Sequence, residues 1–234
     1  MLQDTDLGAI EFVVNERAKH IRVRILPNSL RVTLPVRATQ KEAMNFIDSI
    51  RQKLIAKQKT LHEKREKNAI FIDENSSLKT LTFRVEVKRA TRENVFFSLK
   101  GDVLFIEIPQ NANCVEENVQ KSIWNGINFF LRREAKRLLP QQTAILAKMH
   151  NFSFSSVKIQ SSKSRWGSCS SKKTINLSFY LLLLPQHLID YVILHELCHT
   201  KEMNHSVKFW GLMDKVTGNK SDELNKELKK YSMP

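Results

Sequence analysis

Residues 195–199 read His195-Glu196-Leu197-Cys198-His199. On a helix, positions i and i+4 lie on one face about one turn apart, so this spacing lets both imidazoles reach a single metal ion. Glu196 is rotated by about 100° from His195. It can approach a water on that ion without itself being a ligand. The chemistry needs this division of labour. A zinc ion with three protein ligands keeps a fourth position for water, whose pKa it brings towards about 7, and the carboxylate takes the proton. From the chain's own His and Glu frequencies, such a match arises by chance about once per hundred sequences of this kind.

A third histidine, His205, follows six residues after His199. On an unbroken helix it would lie about 240° away, so it joins the pair only if the helix ends near Thr200–Asn204. The position where related zinc motifs carry a turn glycine is Glu202 here. Asn204, which tolerates left-handed backbone, is the expected turn residue. Without that turn, the third ligand would be a downstream carboxylate, Glu223 or Glu227. Cys198 points away from the histidine face and reads as core. His187 is out of phase with the pair and reads as surface or as packing at the helix N-terminus.

Outward from the motif, Leu188, Ile189, Val192, Ile193 and Leu197 form the apolar face of its helix. Two helices follow, one with Phe209, Leu212, Met213 and Val216, and one starting at a Ser221 cap with acids in its first turn. Upstream, Ser156–Gln160 and Thr174–Phe179 read as strands flanking the polar loop 161–173. In that loop, Arg165 and Lys163 are candidate contacts for an anionic substrate group or a developing oxyanion. Thr174–Phe179 is the expected edge strand for an extended peptide.

The first 110 residues hold a weak internal repeat. Leu30, Val32 and Leu34, ending at Pro35, match Leu104, Ile106 and Ile108, ending at Pro109, at an offset of 74 residues. Each strand follows a tight turn (Pro27-Asn28-Ser29 and Lys100-Gly101-Asp102) and an earlier alternating strand, so each copy predicts a hairpin. Thr39-x-x-Glu42 and Asn113-x-x-Glu116 then read as capping boxes opening two helices. Between the copies, residues 51–67 form a basic, solvated helix. The expected fold is α+β. A β-rich N-terminal part, residues 1–112, holds two hairpin-helix units, the second helix running into the next half, and a metal-binding half spans 113–234.

Composition excludes several classes. Three cysteines give no disulfide framework. The N-terminus has no secretory apolar core and no apolar run spans a bilayer, so a cytoplasmic protein is expected. The net charge is +14, split as +9 over residues 1–150 (26 basic, 17 acidic) and +5 over 151–234 (12 basic, 7 acidic). Such a charge suits polyanionic partners, yet it is spread along the chain. No recognition helix or aromatic-rich sheet marks a nucleic-acid reader.

Arg165-Trp166-Gly167-Ser168-Cys169, Leu184-Pro185, Tyr191 through His199, Asn204-His205-Ser206 and Phe209-Trp210 together resemble the YgjP-like family of metal-dependent hydrolases. That family is related to the SprT and Spartan metallopeptidases. The resemblance covers nearly the whole chain, strongly at the C-terminal motifs and loosely at HIRVRILPNSLRVTLP. It departs from the usual pattern at Lys53-Leu54-Ile55, where an aromatic is often found. It implies a zincin-like fold with His195, His199 and His205 as zinc ligands and Glu196 as catalytic carboxylate. The expected activity is that of a metallopeptidase. The alternatives are a nucleoside triphosphate (UTP) pyrophosphatase, since some members are so classed, and a DNA-associated protease.

Overall fold

Alternation of apolar and polar residues puts one face of a strand in the core and the other outside, as in Ser29–Leu34 and Val103–Pro109. The structure, a computed structural model, describes residues 2–26, 29–68 and 70–234, and of residues 61–68 the backbone alone. The architecture is α+β, with six α-helices and three small sheets among the described residues. Two compact units follow one another along the chain, Met1–Ala69 and Ile70–Pro234.

In the first unit, β1 (Leu2–Asp4), β2 (Gly8–Val14), β3 (Arg22–Leu26) and β4 (Ser29–Leu34) form a sheet of order β1-β2-β4-β3. Strands β3 and β4 are the expected antiparallel pair; Pro27 and Asn28 of their connection lie outside the described residues. Leu30, Val32 and Leu34 are buried together with Ile10, Ala43 and Ile47. Helix α1 (Gln40–Ser49) opens with the expected capping box. The Thr39 hydroxyl accepts from the Glu42 amide at 3.2 Å, and the Glu42 carboxylate accepts from the Thr39 amide at 2.7 Å. The basic helix α2 spans Arg51–Asn68.

In the second unit, β5 (Arg84–Ala90), β6 (Phe96–Lys100) and β7 (Val103–Pro109) form a sheet of order β5-β7-β6. Helix α3 (Glu117–Met149) follows. Asn113 does not cap it: its side chain accepts from the Val115 amide two residues on, and the helix begins only at Glu117. Next come β8 (Ser156–Gln160), β9 (Gly167–Cys169) and β10 (Thr174–Ser178), in the order β8-β10-β9. A buried 3-10 turn at Phe179–Leu183 leads to α4 (Gln186–Cys198), α5 (Val207–Thr217) and α6 (Ser221–Leu228). Ser221 is the first residue of α6 rather than its cap, and its hydroxyl bonds the Asp214 carboxylate. Among the described residues, no helix is long and apolar enough to cross a membrane.

The repeat is larger than the hairpins suggested. In β2-β4-β3, β5-β7-β6 and β8-β10-β9 alike, the first strand runs parallel to the third, and the second pairs antiparallel on the third's other side. A helix follows each time: α1, α3 and α4. The extra strand in each copy, β2 and β5, escaped the pattern because the residues joining it to the hairpin differ in number between copies.

The compact units divide between residues 69 and 70, and α3 holds the second hairpin to the elements after it. Its Ile123, Ile127 and Leu131 lie in one apolar cluster with Leu104, Ile106 and Ile108 of β7 and with Leu188, Ile193 and Leu197 of α4. A single 33-residue helix, with one face buried, joins the second hairpin to α4 in one core.

Two local contacts generate predictions. The Asp4 carboxylate, 12% exposed, accepts from Arg51 at 2.8 and 3.0 Å and from the Asp6 and Leu7 amides. The Arg51 bond chiefly holds its pKa down at about 2. The stabilisation is therefore complete above about pH 4, the unfolded value, and is lost as pH falls through about 2. Asp4→Asn is expected to lower neutral-pH stability by about 1–2 kcal/mol. It should also flatten the pH dependence between about 4 and 2, measured by urea unfolding. In α3, a Cβ on Gly126 would sit 2.1 Å from the Phe97 ring. Gly126→Ala should therefore cost about 1–3 kcal/mol, although a helix-interior alanine normally gains up to about 1 kcal/mol. Thermal unfolding should show the gain restored in a Phe97→Ala background.

Candidate metal centre

Helix α4 is the element that fixes the site. Leu188, Ile189, Val192, Ile193 and Leu197 bury its apolar face as expected, and Cys198 is buried with them, its thiol pushed up to about 12 by burial. Asp190 accepts from Gln142 of α3 at 2.9 Å, which ties the two helices together. At the C-terminal end of α4, His195 and His199 have ring centroids 4.9 Å apart.

The chain then turns. Helix α4 ends at Cys198, and the amides of Thr200, Lys201 and Glu202 bond back to the carbonyls of Leu197 and Cys198. Asn204 does not adopt the left-handed conformation expected of it; among the described residues only Asn151, Lys173 and Asn219 do so without being glycine. The tightened turn bends the chain without a residue of positive φ. Ser206 caps α5 by accepting from the Phe209 amide, so His205 stands immediately before a helix start.

This turn brings His205 back to the pair. One donor nitrogen from each of His195, His199 and His205 lies within 4.8 Å of the other two. Nε2 of His195 and Nε2 of His205 are 3.0 Å apart. Around a tetrahedral zinc with bonds of about 2.0–2.1 Å, ligand nitrogens sit about 3.3 Å apart, so the donor set fits a small divalent ion. The Nδ1 of His199 lies 3.0 Å from the Glu202 carbonyl. A carbonyl only accepts, so Nδ1 carries the proton and Nε2 keeps its lone pair. Burial, then the two neighbouring imidazoles, hold His195 down at about 3, in its neutral form. Phe209, fully buried, stacks on His199 with centroids 4.5 Å apart and meets His195 and His205 edge-on.

Glu196 is 5% exposed, and its Oε2 has no hydrogen-bond partner among the described residues. Burial raises its pKa to about 8 against the opposing charge of Arg165. Arg165 is exposed on the loop before β9. Lys163 instead extends over the Tyr180 ring at 5.8 Å. His187 pairs at 2.9 Å with Glu227, one of the carboxylates considered as a third ligand. Strand β10, expected to be the open edge, is central: β8 and β9 take its two sides. The edge strand next to α4 is β9. Trp210 also lies beside the cluster, its ring centroid 5.9 Å from that of His205; the packing of Phe209 and Trp210 on the imidazoles had as its signal in the sequence their place just after the capped start of α5.

The sequence matches the family described as YgjP-like, metallopeptidase domain, over residues 19–231. Two solved structures share likeness with part of the chain. The metallopeptidase zymogen of Pyrococcus abyssi abylysin is 25% identical, with 38% of this chain and 91% of that one covered and a TM-score of 0.35. The zymogen of Methanocaldococcus jannaschii jannalysin is 27% identical, with 38% and 92% covered and a TM-score of 0.35. No curated protein matches the chain. Because the family match takes in the second and third sheets, the histidine cluster and most of the first unit, the chain belongs to the YgjP-like metallopeptidase-domain family of metal-dependent hydrolases.

Proposed function

We propose that the protein is a zinc-dependent peptidase in which His195, His199 and His205 hold the ion and Glu196 is the general base. The observation that carries this reading is the convergence of three imidazole nitrogens, with the next residue after His195 a buried carboxylate whose Oε2 has no hydrogen-bond partner among the described residues. An all-imidazole donor set suits zinc among the common divalent ions. Bound there, the ion supplies Lewis acidity and an activated water.

The chain's own residues divide the remaining work. The Oε2 of Glu196 is free to accept a proton and return it to a leaving amine. The Glu202 carbonyl holds the ring of His199 in one tautomer. Phe209 packs against the three rings and limits their rotation. The outer edge of β9 offers backbone groups for an extended polypeptide. Arg165, near Glu196, favours an acidic side chain or a developing negative charge.

Protein purified without chelator should hold about one equivalent of zinc. His199→Ala should lose most of it. Glu196→Gln should keep the metal while turnover falls at least about 100-fold; undiminished turnover in that variant would sink the assignment of the base.

The bond cleaved is tested by incubating the protein with an unfolded polypeptide and, separately, with UTP, each with and without chelator. Chelator-sensitive cleavage of the polypeptide is expected. Release of pyrophosphate from UTP with the polypeptide intact would replace the peptidase reading with a pyrophosphatase. Arg165→Ala combined with Lys163→Ala should weaken the preference for acidic peptides and leave zinc content unchanged.

A further inference from the structure

Gly167 lies in the three-residue strand β9, paired with Leu177 of β10. It is not among the positive-φ glycines, which are Gly8, Gly101 and Gly218, so its backbone does not call for glycine. Space does. A Cβ built on Gly167 would lie 2.6 Å from Oε1, 2.7 Å from Cγ and 2.9 Å from Cδ of Glu196. Ordinary carbon contacts fall at about 3.5–4.0 Å.

Neither side of this contact has room to yield. Strand β9 is held by its ladder to β10, and the Trp166 carbonyl accepts from the Ser178 amide at 2.9 Å. Ser178 is itself buried, and its hydroxyl donates to the Ser162 carbonyl at 2.8 Å. On the other side, Ile193 and Leu197, flanking Glu196 on α4, are fully buried. The Glu196 side chain, 5% exposed, is enclosed along its length.

We infer that Gly167 is a positioning residue: its missing side chain forms the slot in β9 that sets the Glu196 carboxylate. Backbone of the edge strand takes the place of a hydrogen-bonding partner. It restricts the rotamers of Glu196 by contact while leaving Oε2 without a partner. Any side chain at 167 pushes the carboxylate out of the slot. The consequence for turnover rests on Glu196 being the base; the contact itself does not.

The test is a double-mutant cycle on the full-length, metal-loaded chain with Gly167→Ala, Glu196→Ala and the pair. Gly167→Ala alone should lower the Tm by about 5 °C. In the Glu196→Ala background the same substitution should change it by less than about 2 °C, because the obstructing side chain is gone. With Glu196 present, Gly167→Ala should keep its zinc and its KM while kcat falls at least about 100-fold. Equal Tm losses in both backgrounds would overturn the contact, and an unchanged kcat would overturn the positioning role. If Gly167→Ala does not fold, a folded double variant supports the inference and an unfolded one defeats it. Activity retained by Glu196→Gln would be a failure of the base assignment, and the thermal cycle separates that failure from this one.

Discussion

The structure depends on the burial of α4. A helix that carries a charged or metal-binding face normally lies at the surface, with its apolar stripe inward. Here Leu188, Ile189, Tyr191, Val192, Ile193, Leu194 and Leu197 are all buried. Their burial leaves the last turn as the place where His195, Glu196 and His199 can stand. Polar groups in such a setting cost free energy unless each is given a partner. His199 has the Glu202 carbonyl, and His195 and His205 have each other. The Oε2 of Glu196 has no partner among the described residues, and that departure marks the group most available for chemistry.

Along its length the chain repeats one solution three times. A strand, a hairpin whose second strand inserts beside the first, and a helix make a small sheet with one face to cover. The first unit covers its sheet with α1. The second and third copies merge, because α3 is long enough to serve both the β5-β7-β6 sheet and α4 in one apolar cluster. The histidines belong to the third copy and to the turn after its helix. The third sheet is also the one whose edge strand lies against the helix at Glu196. Strand β10 is occupied on both sides, which leaves β9 as the edge near the site.

Local interactions were legible in the residues alone. The four-residue spacing of His195 and His199, the capping box of Thr39 and Glu42, and the alternation of Leu30, Val32 and Leu34 all act within one turn or one strand. Neighbours in sequence are neighbours in space there. Asn113 misled because an Asx turn and a helix cap use the same side chain, and only the backbone beyond it distinguishes them. Asn204 misled because hydrogen bonds from residues 200–202 back into the helix end made the bend without a left-handed residue.

By itself, then, the sequence determined the helix that pairs His195 with His199, the α+β class and the two hairpins, since each follows from periodicity and short-range hydrogen bonding. Only the tertiary structure decided that His205 returns to that pair, that α3 ties the second hairpin to the third sheet, that β10 is central, and that Gly167 is a space for Glu196. Those contacts join groups from 6 to roughly 90 residues apart. They are set by the packing of whole elements against one another, and no window of sequence contains that information.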